Sequence, residues 1–299
     1  MSPFTVPAAV ADMARRGPQW ADWVERLPGT AERMLGQWSL RPDGEATFGH
    51  CSMVIPVRTD AAAAAVLKIG FPDEESEHEH LALRRWAGHG AVRLLSAEPH
   101  QRALLLERLY RTDLTTVPED RACAVVADLY RLIHVPALPA LRTLSWFVDR
   151  WTAELASLPR SAPIPRRLVE QALALGRDLS ADRAVSDRVI HTDLHYANVL
   201  AGQRDPWLAI DPKPVNGDPH YELAPMLWNR WEEIAGDVRE GVRRRLRMLV
   251  DAAGFDEDRA RAWVVVRMVH NAMWAVQDGP HADPGWLTRC VAVAKAVQG

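Results

Sequence analysis

Lysine is almost missing from this chain of 299 residues. Of its 36 basic residues only Lys68, Lys213 and Lys295 are lysines, and arginine has taken every other position. A lysine retained in an apolar setting therefore points to a need for a compact ammonium on a flexible stem. Cysteine is also scarce. Cys51, Cys123 and Cys290 are odd in number, scattered and without zinc-ligand spacing, which argues against a disulfide framework or a zinc module. No apolar run approaches the roughly 18 residues of a membrane span, and the longest candidate, 61–67, stops at Lys68. An excess of charge of either sign is missing too. The 36 Lys and Arg against 39 Asp and Glu leave a net charge of -3, so no basic surplus exists to neutralise a nucleic-acid backbone. Two arginines follow the apolar part of the N-terminal segment, the reverse of a signal peptide, and a cytoplasmic location is expected.

What is present is an ordinary globular composition, 48% apolar and 25% charged, in a chain long enough for one large domain or two lobes. Helical patterns over 6–16 and 19–35 are separated by Gly17-Pro18. Short apolar runs at 52–57, 64–69 and 103–107 read as strands. Between them, 73–87 has helical character, with acidic residues early, where they suit the positive end of a helix dipole. From about residue 112 the pattern is mostly helical: 118–134, 145–157, 165–179, 221–235, 238–253, 256–277 and 284–297. Two strand-like pieces, 188–190 and 207–210, interrupt it. The expected fold class is α+β, with a β-rich N-terminal lobe over 1–108 and a larger, mainly helical C-terminal lobe over 109–299.

Both interrupting strands end in polar clusters. The first cluster is HTDLHYANVL at 191–200, and the second is Asp211 with the Pro-Lys-Pro that follows. Strands that end together in Asp and Asn deliver polar groups to one edge, as phosphoryl transfer requires. One carboxylate positions a hydroxyl and takes its proton, while an amide oxygen and a second carboxylate hold Mg²⁺ on the phosphates. The first cluster fits the kinase catalytic-loop template H-x-D-L-x-x-x-N at every specified position. Lys68 in an apolar strand lies upstream, an acidic helix follows it, and Asp211 lies downstream, all in kinase order. Asp193 is read as the catalytic base, Asn198 and Asp211 as Mg²⁺ ligands, and Lys68 as the lysine that holds the ATP phosphates. Its carboxylate partner is Glu75 or Glu79, four apart on one face. Glu79 is preferred because it precedes Leu83 and Trp86 on the expected buried side. His191 is read as a structural histidine holding the loop, and His195 stands where protein kinases usually have lysine. No G-x-G-x-x-G precedes Lys68; residues 43–52 offer a looser hairpin cover or an ordinary β-turn.

These residues carry a resemblance. The chain resembles the aminoglycoside/hydroxyurea resistance kinases almost end to end. The matching segments are 54–57, 66–68, WAGHGAVRLL at 86–95, LLLERL at 104–109, 191–200, PWLAIDP at 206–212, 217–219, NAMW at 271–274 and Asp278-Gly279. The resemblance implies a protein-kinase-like fold and Mg-ATP-dependent phosphorylation of a small-molecule hydroxyl. The implied acceptor is a cationic antibiotic, streptomycin or a related aminoglycoside, with resistance as the outcome. It also implies that Glu107 and Leu109 offer the adenine-binding backbone groups, and that the late helices supply acceptor-side residues, with Glu232, Asn271, Trp274 and Asp278 as candidates. Tryptophan makes up 12 of the 21 aromatic residues, so most tryptophans belong to the core. Relatives usually have Asp where this chain has Glu222, a residue that braces the catalytic loop. Ala197 and Lys213 stand where acidic residues can occur in relatives. Asp218-Pro219 reads independently as a helix N-cap followed by Pro in the first turn.

Three alternatives compete. A metallohydrolase would use His191, Asp193 and His195 as metal ligands, yet would need neither Lys68 nor Asn198. A non-catalytic kinase-like binder would be expected to have lost one of Lys68, Asp193, Asn198 and Asp211. The same fold could also act on a basic peptide antibiotic, hydroxyurea or a metabolic alcohol. The expected partners are the acceptor molecule and, at most, a second copy of the chain, with no nucleic acid and no membrane.

Overall fold

The computed structural model describes residues 8–49, 51–279, 283 and 285–298. The chain divides into two compact units, 1–110 and 111–299.

The first unit opens with α1 (Ala8–Ala11), a 3₁₀ turn (Asp12–Arg16) and α2 (Pro18–Gln37). Gly17 separates turn from helix at φ 140°, a backbone conformation that L side chains rarely adopt. Of the helix expected over 6–16, residues 6 and 7 lie outside the described residues, and 8–16 form two short pieces, α1 and the 3₁₀ turn. Trp23, Leu27, Ala31 and Met34 form the buried stripe of α2, spaced as one helical face requires. The strands are β1 (Arg41–Pro42), β2 (Thr47–Phe48), β3 (Ser52–Arg58), β4 (Ala64–Gly70), β5 (Leu94–Glu98) and β6 (Ala103–Glu107). They form one antiparallel sheet in the order β1-β3-β4-β6-β5, with β2 also on β3. β2 and the start of β3 make a short hairpin at the expected cover, closed by Gly49 N–H donating to Ser52 O.

Period-two alternation assigns the faces of this sheet. Met53, Ile55, Val57, Ala65, Leu67, Ile69, Ala103 and Leu105 join the α2 stripe in one buried cluster. Lys68 has the opposite parity, so it shares the other face with its cross-strand partners Val54 and Leu104. α3 (Glu79–Trp86) lies after β4 and buries Glu79, Ala82, Leu83 and Trp86. The helix expected from residue 73 begins only at 79. Asp73 Oδ1 accepts the Ser76 N–H at 2.6 Å, a side-chain turn that competes with helical hydrogen bonding.

The second unit holds α4 (Glu119–Ile133), α5 (Leu144–Ser157), α6 (Arg166–Ala181), α7 (Ala224–Trp228), α8 (Val238–Ala253), α9 (Glu257–Asp278) and α10 (Trp286–Ala296). Asp237 and Asp256 cap α8 and α9 by accepting the Glu240 and Arg259 N–H groups. Between α6 and α7 run four three-residue strands, β7 (Arg188–Ile190), β8 (Val199–Ala201), β9 (Trp207–Ala209) and β10 (Val215–Gly217), paired β7 with β10 and β8 with β9. β8 and β10 lie outside the sequence expectation. The expected helix over 221–235 is broken into a 3₁₀ turn (Pro219–Leu223), α7 and a second 3₁₀ turn (Trp231–Glu233). Asn229 Nδ2 ends α7 by donating to Pro225 O, and Arg230 turns the chain with φ 53°. The Arg230 guanidinium then anchors that turn on the carbonyls of Leu114 and Val117.

Candidate active site

Each unit carries one part of the candidate machinery. In the first, Lys68 Nζ lies 2.7 Å from both carboxylate oxygens of Glu79, and the two residues are only 7% and 5% exposed. Glu75 is exposed, in the turn ahead of α3. Of the two acidic candidates, α3 therefore presents Glu79. At the end of β6, Glu107 is tied on both sides: its N–H donates to Arg93 O at 3.0 Å, and its carboxylate accepts the Arg93 N–H at 2.7 Å. Arg108 turns back onto the sheet, donating to Ala65 O, Val57 O and Asp43. The hydrogen bond from Arg108 is the main reason the Asp43 carboxyl lies below the ordinary carboxylate range. Leu109 is half-buried between this anchor and exposed Tyr110.

In the second unit β7 delivers a buried Ile190 and then His191, which is fully buried. His191 Nδ1 accepts the Asp193 N–H at 3.2 Å, and Nε2 sits 2.9 Å from Ile210 O. A ring that accepts at Nδ1 and donates at Nε2 is neutral, and burial pushes its pKa down accordingly. Glu222 Oε1 accepts the His191 N–H, and His134 Nε2 lies 3.4 Å from the same oxygen. Burial alone would raise the Glu222 pKa. The adjacent His134 imidazole, with His191 behind it, outweighs burial and holds the carboxyl below its ordinary value. The brace expected at this position is therefore made by the longer glutamate.

Past His191 the loop turns through Thr192 at φ 60°. Asn198 Nδ2 donates to Asp193 O at 2.9 Å, and Asn198 O accepts the Ile210 N–H at 2.9 Å. The amide nitrogen is thereby committed, which leaves Oδ1 as a hard oxygen donor. Asp211 follows β9 with φ 58°. A carboxylate and an amide oxygen are the donors Mg²⁺ takes, so this pair fits that ion. His195 is half-buried, accepts the Ala197 N–H through Nδ1 at 3.3 Å, and has its pKa pushed down by burial; it caps the following turn. Asp218, expected as an N-cap, accepts the His220 N–H at 3.0 Å at the head of the 3₁₀ turn.

The acceptor-side candidates separate. Asn271, Trp274 and Asp278 lie along one side of α9, grading from buried through half-buried to exposed, and Trp274 packs edge-on against Trp151 with centroids 5.0 Å apart. Glu232 is exposed and sits on the second 3₁₀ turn instead of a long helix. Its neighbour Glu233 is the one that binds Arg230 and the buried Arg245. An ion pair that spacing does not reveal joins Lys213 Nζ to Asp193 Oδ2 at 3.3 Å. The scarcity of lysine was the signal that marked it.

The chain matches the model of the family described as aminoglycoside/hydroxyurea antibiotic resistance kinase over residues 37–279. It belongs to that family. It is 39% identical to streptomycin 6-kinase of Streptomyces glaucescens over 98% of this chain and 96% of the relative. It is 40% identical to hydroxyurea phosphotransferase of Kitasatospora aureofaciens over 98% of this chain and 86% of the relative. Among solved structures, a ternary complex of a thermostable mutant of the aminoglycoside phosphotransferase APH(4)-Ia with ADP and hygromycin B superposes with a TM-score of 0.58. It shares 17% identity and covers 90% of this chain and 98% of that one. The fold is thus protein-kinase-like, with a β-rich N-terminal lobe and a helical C-terminal lobe, and the chain is a small-molecule kinase. The metallohydrolase alternative fails on the same residues. Both ring nitrogens of His191 are engaged by the backbone, and among the described residues no three His, Cys, Asp or Glu side chains gather to hold a metal. Among the described residues no helix is long and apolar enough to cross a membrane.

Proposed function

We propose that this kinase transfers the γ-phosphoryl group of Mg-ATP to a hydroxyl of streptomycin or a related aminoglycoside, and that resistance is the outcome. The supporting observation is 39% identity to streptomycin 6-kinase of Streptomyces glaucescens along nearly the whole chain, together with a loop that aims Asp193 by its own backbone. The His191 ring takes the Asp193 N–H, and the Asn198 side chain takes the Asp193 carbonyl. Both ends of the Asp193 peptide are held, so the carboxylate orients the acceptor hydroxyl and accepts its proton. Lys68, fixed by Glu79, holds the phosphates of the nucleotide. Glu107 and Leu109 offer backbone groups to its base, steadied by the Arg93 and Arg108 contacts. Asn198 and Asp211 would hold Mg²⁺, which neutralises charge on the phosphates when bound. Asn271, Trp274, Asp278 and Glu232 are proposed for the acceptor, where carboxylates and an aromatic face suit a cation.

Hydroxyurea is the second reading, since the hydroxyurea phosphotransferase is matched at 40% identity. The test is ADP release with Mg-ATP against streptomycin, other aminoglycosides and hydroxyurea, with mass spectrometry of the products. One added phosphate on streptomycin alone is the expected result. Turnover of hydroxyurea alone would replace the acceptor and keep the chemistry. Nucleotide binding that is indifferent to Mg²⁺ would remove the metal role of Asn198 and Asp211.

A further inference from the structure

Lys68 and Lys213 each touch a carboxylate, Lys68 at Glu79 and Lys213 at Asp193. The first pair is buried. The second is open, with side chains 35% and 21% exposed. An ion pair in that setting contributes little to stability, typically under about 1 kcal/mol, so its placement calls for another explanation. The backbone that carries Lys213 is fixed from both sides. Its N–H donates to His191 O at 3.0 Å, its carbonyl accepts the Thr192 hydroxyl at 2.7 Å, and prolines flank it at 212 and 214. The lysine is thus pinned to the same loop that aims Asp193. His195 supplies no competing cation there, because its Nδ1 accepts a backbone N–H.

We propose that Lys213 is a positioning residue for phosphoryl transfer, its ammonium holding Asp193 by Oδ2 so that Oδ1 faces the acceptor hydroxyl. In the step itself the acceptor oxygen forms its bond to phosphorus as the hydroxyl proton passes to Asp193 Oδ1. The bond from phosphorus to the bridging oxygen of ADP breaks, and its electron pair stays on ADP. Throughout, the ammonium keeps one carboxylate oxygen occupied and leaves the other to act. A guanidinium would present a planar fork in place of a point charge, which explains why arginine has not replaced lysine here. The inference rests on Asp193 being the base.

The test compares Lys213→Met, Lys213→Arg, Asp193→Asn and the double variant Lys213→Met with Asp193→Asn. The readout is steady-state turnover with Mg-ATP and whichever of streptomycin or hydroxyurea is phosphorylated, or slow Mg-ATP hydrolysis if neither is. Lys213→Met is expected to lower kcat about 10- to 100-fold, as loss of one charge-assisted hydrogen bond would, with KM for ATP changed less than about threefold. Lys213→Arg should fall between it and the natural enzyme. The double variant should turn over about as slowly as Asp193→Asn alone, because a lysine acting through Asp193 has nothing left to position. Lys213→Met with kcat within about threefold of the natural enzyme overturns the inference. So does a double variant slower than Asp193→Asn by the full Lys213 factor. If Asp193→Asn itself keeps near-full turnover, the base assignment fails. If Asp193→Asn is crippled and Lys213→Met is not, only the role of Lys213 fails. Lys213→Gln provides the same comparison should the methionine variant fold poorly.

Discussion

Lys68 and Glu79 meet with Nζ 2.7 Å from each carboxylate oxygen, inside a face of the sheet where both residues are more than nine-tenths buried. Removing one partner of such a pair strands the other charge away from water, at a cost of about 3–5 kcal/mol. Glu79→Ala is therefore expected to lower stability by about that amount and to raise KM for ATP at least about tenfold. Lys68→Met, which removes the phosphate-binding ammonium itself, should weaken nucleotide binding at least as much. Denaturant unfolding and ATP titration of the two variants check this. Unchanged ATP affinity in Lys68→Met would detach the lysine from the nucleotide.

Strand parity and the apolar runs made β3, β4 and β6 legible, because each carries enough residues to show a period of two against a buried face. Val238–Ala253 was legible for the same reason at period 3.6. The strands β8 and β10 were not, since three residues carry no period; β7 and β9 are as short and were legible because each runs directly into a polar cluster. The break at 229–230 also lay beyond sequence pattern, because the Arg230 anchor reaches carbonyls more than one hundred residues upstream. The residues of the candidate site were legible as types and spacing. What joins them, such as the two backbone contacts of the His191 ring or the approach of Lys213 to Asp193, depends on side-chain direction, which spacing does not encode.

Glu222 braces the loop by accepting the His191 N–H from a fully buried position. Glu222→Ala leaves that N–H and the His134 ring without the carboxylate, and an unmet buried donor costs about 1–3 kcal/mol. The expected outcome is a lower melting temperature together with a kcat reduced at least about tenfold, while KM for ATP moves little. Glu222→Gln keeps an oxygen acceptor and should recover most of the loss in kcat. A variant series in which ATP affinity falls as far as kcat would speak against a role confined to the loop.

Asp218 gathers four donors: the His220 N–H and ring, Arg259 Nε and Trp263 Nε1. Burial would raise its pKa, yet the hydrogen bonds from His220 and Trp263 outweigh burial and bring it down from 3.8 to about 2. A carboxyl depressed on folding stabilises the native state above its unfolded pKa and loses that contribution as pH falls through the folded one. The difference corresponds to about 2 kcal/mol. Asp218→Asn is thus expected to be less stable by about 2 kcal/mol at pH 7, with the gap to the natural protein closing between about pH 4 and pH 2. A gap independent of pH in that window would assign the loss to packing alone.

His270 gives a dependence of the same sign in a higher window. Its ring is fully buried, packs against Trp151 and Trp274, and has no hydrogen-bond partner at either nitrogen among the described residues. Burial alone pushes its pKa from 6.5 to about 3. Below about pH 6.5 the unfolded ring takes a proton that the folded ring refuses, so native stability falls by about 1.4 kcal/mol for each further pH unit until the folded ring titrates. Between pH 6.5 and pH 5 this amounts to about 2 kcal/mol, and buried His191, shifted in the same direction, adds to it. The depressed carboxyls of Asp218 and Glu222 act in the same direction but add little above pH 5, since their effects begin near the ordinary carboxylate range. His270→Leu should be close to neutral in size and should reduce the loss of stability over that interval, leaving the shares of His191, His195 and His80, which burial shifts in the same direction. Urea unfolding of both proteins at pH 7 and pH 5 measures it. Equal pH dependence in the two would mean that His270 titrates in the folded protein much as it does in the unfolded one.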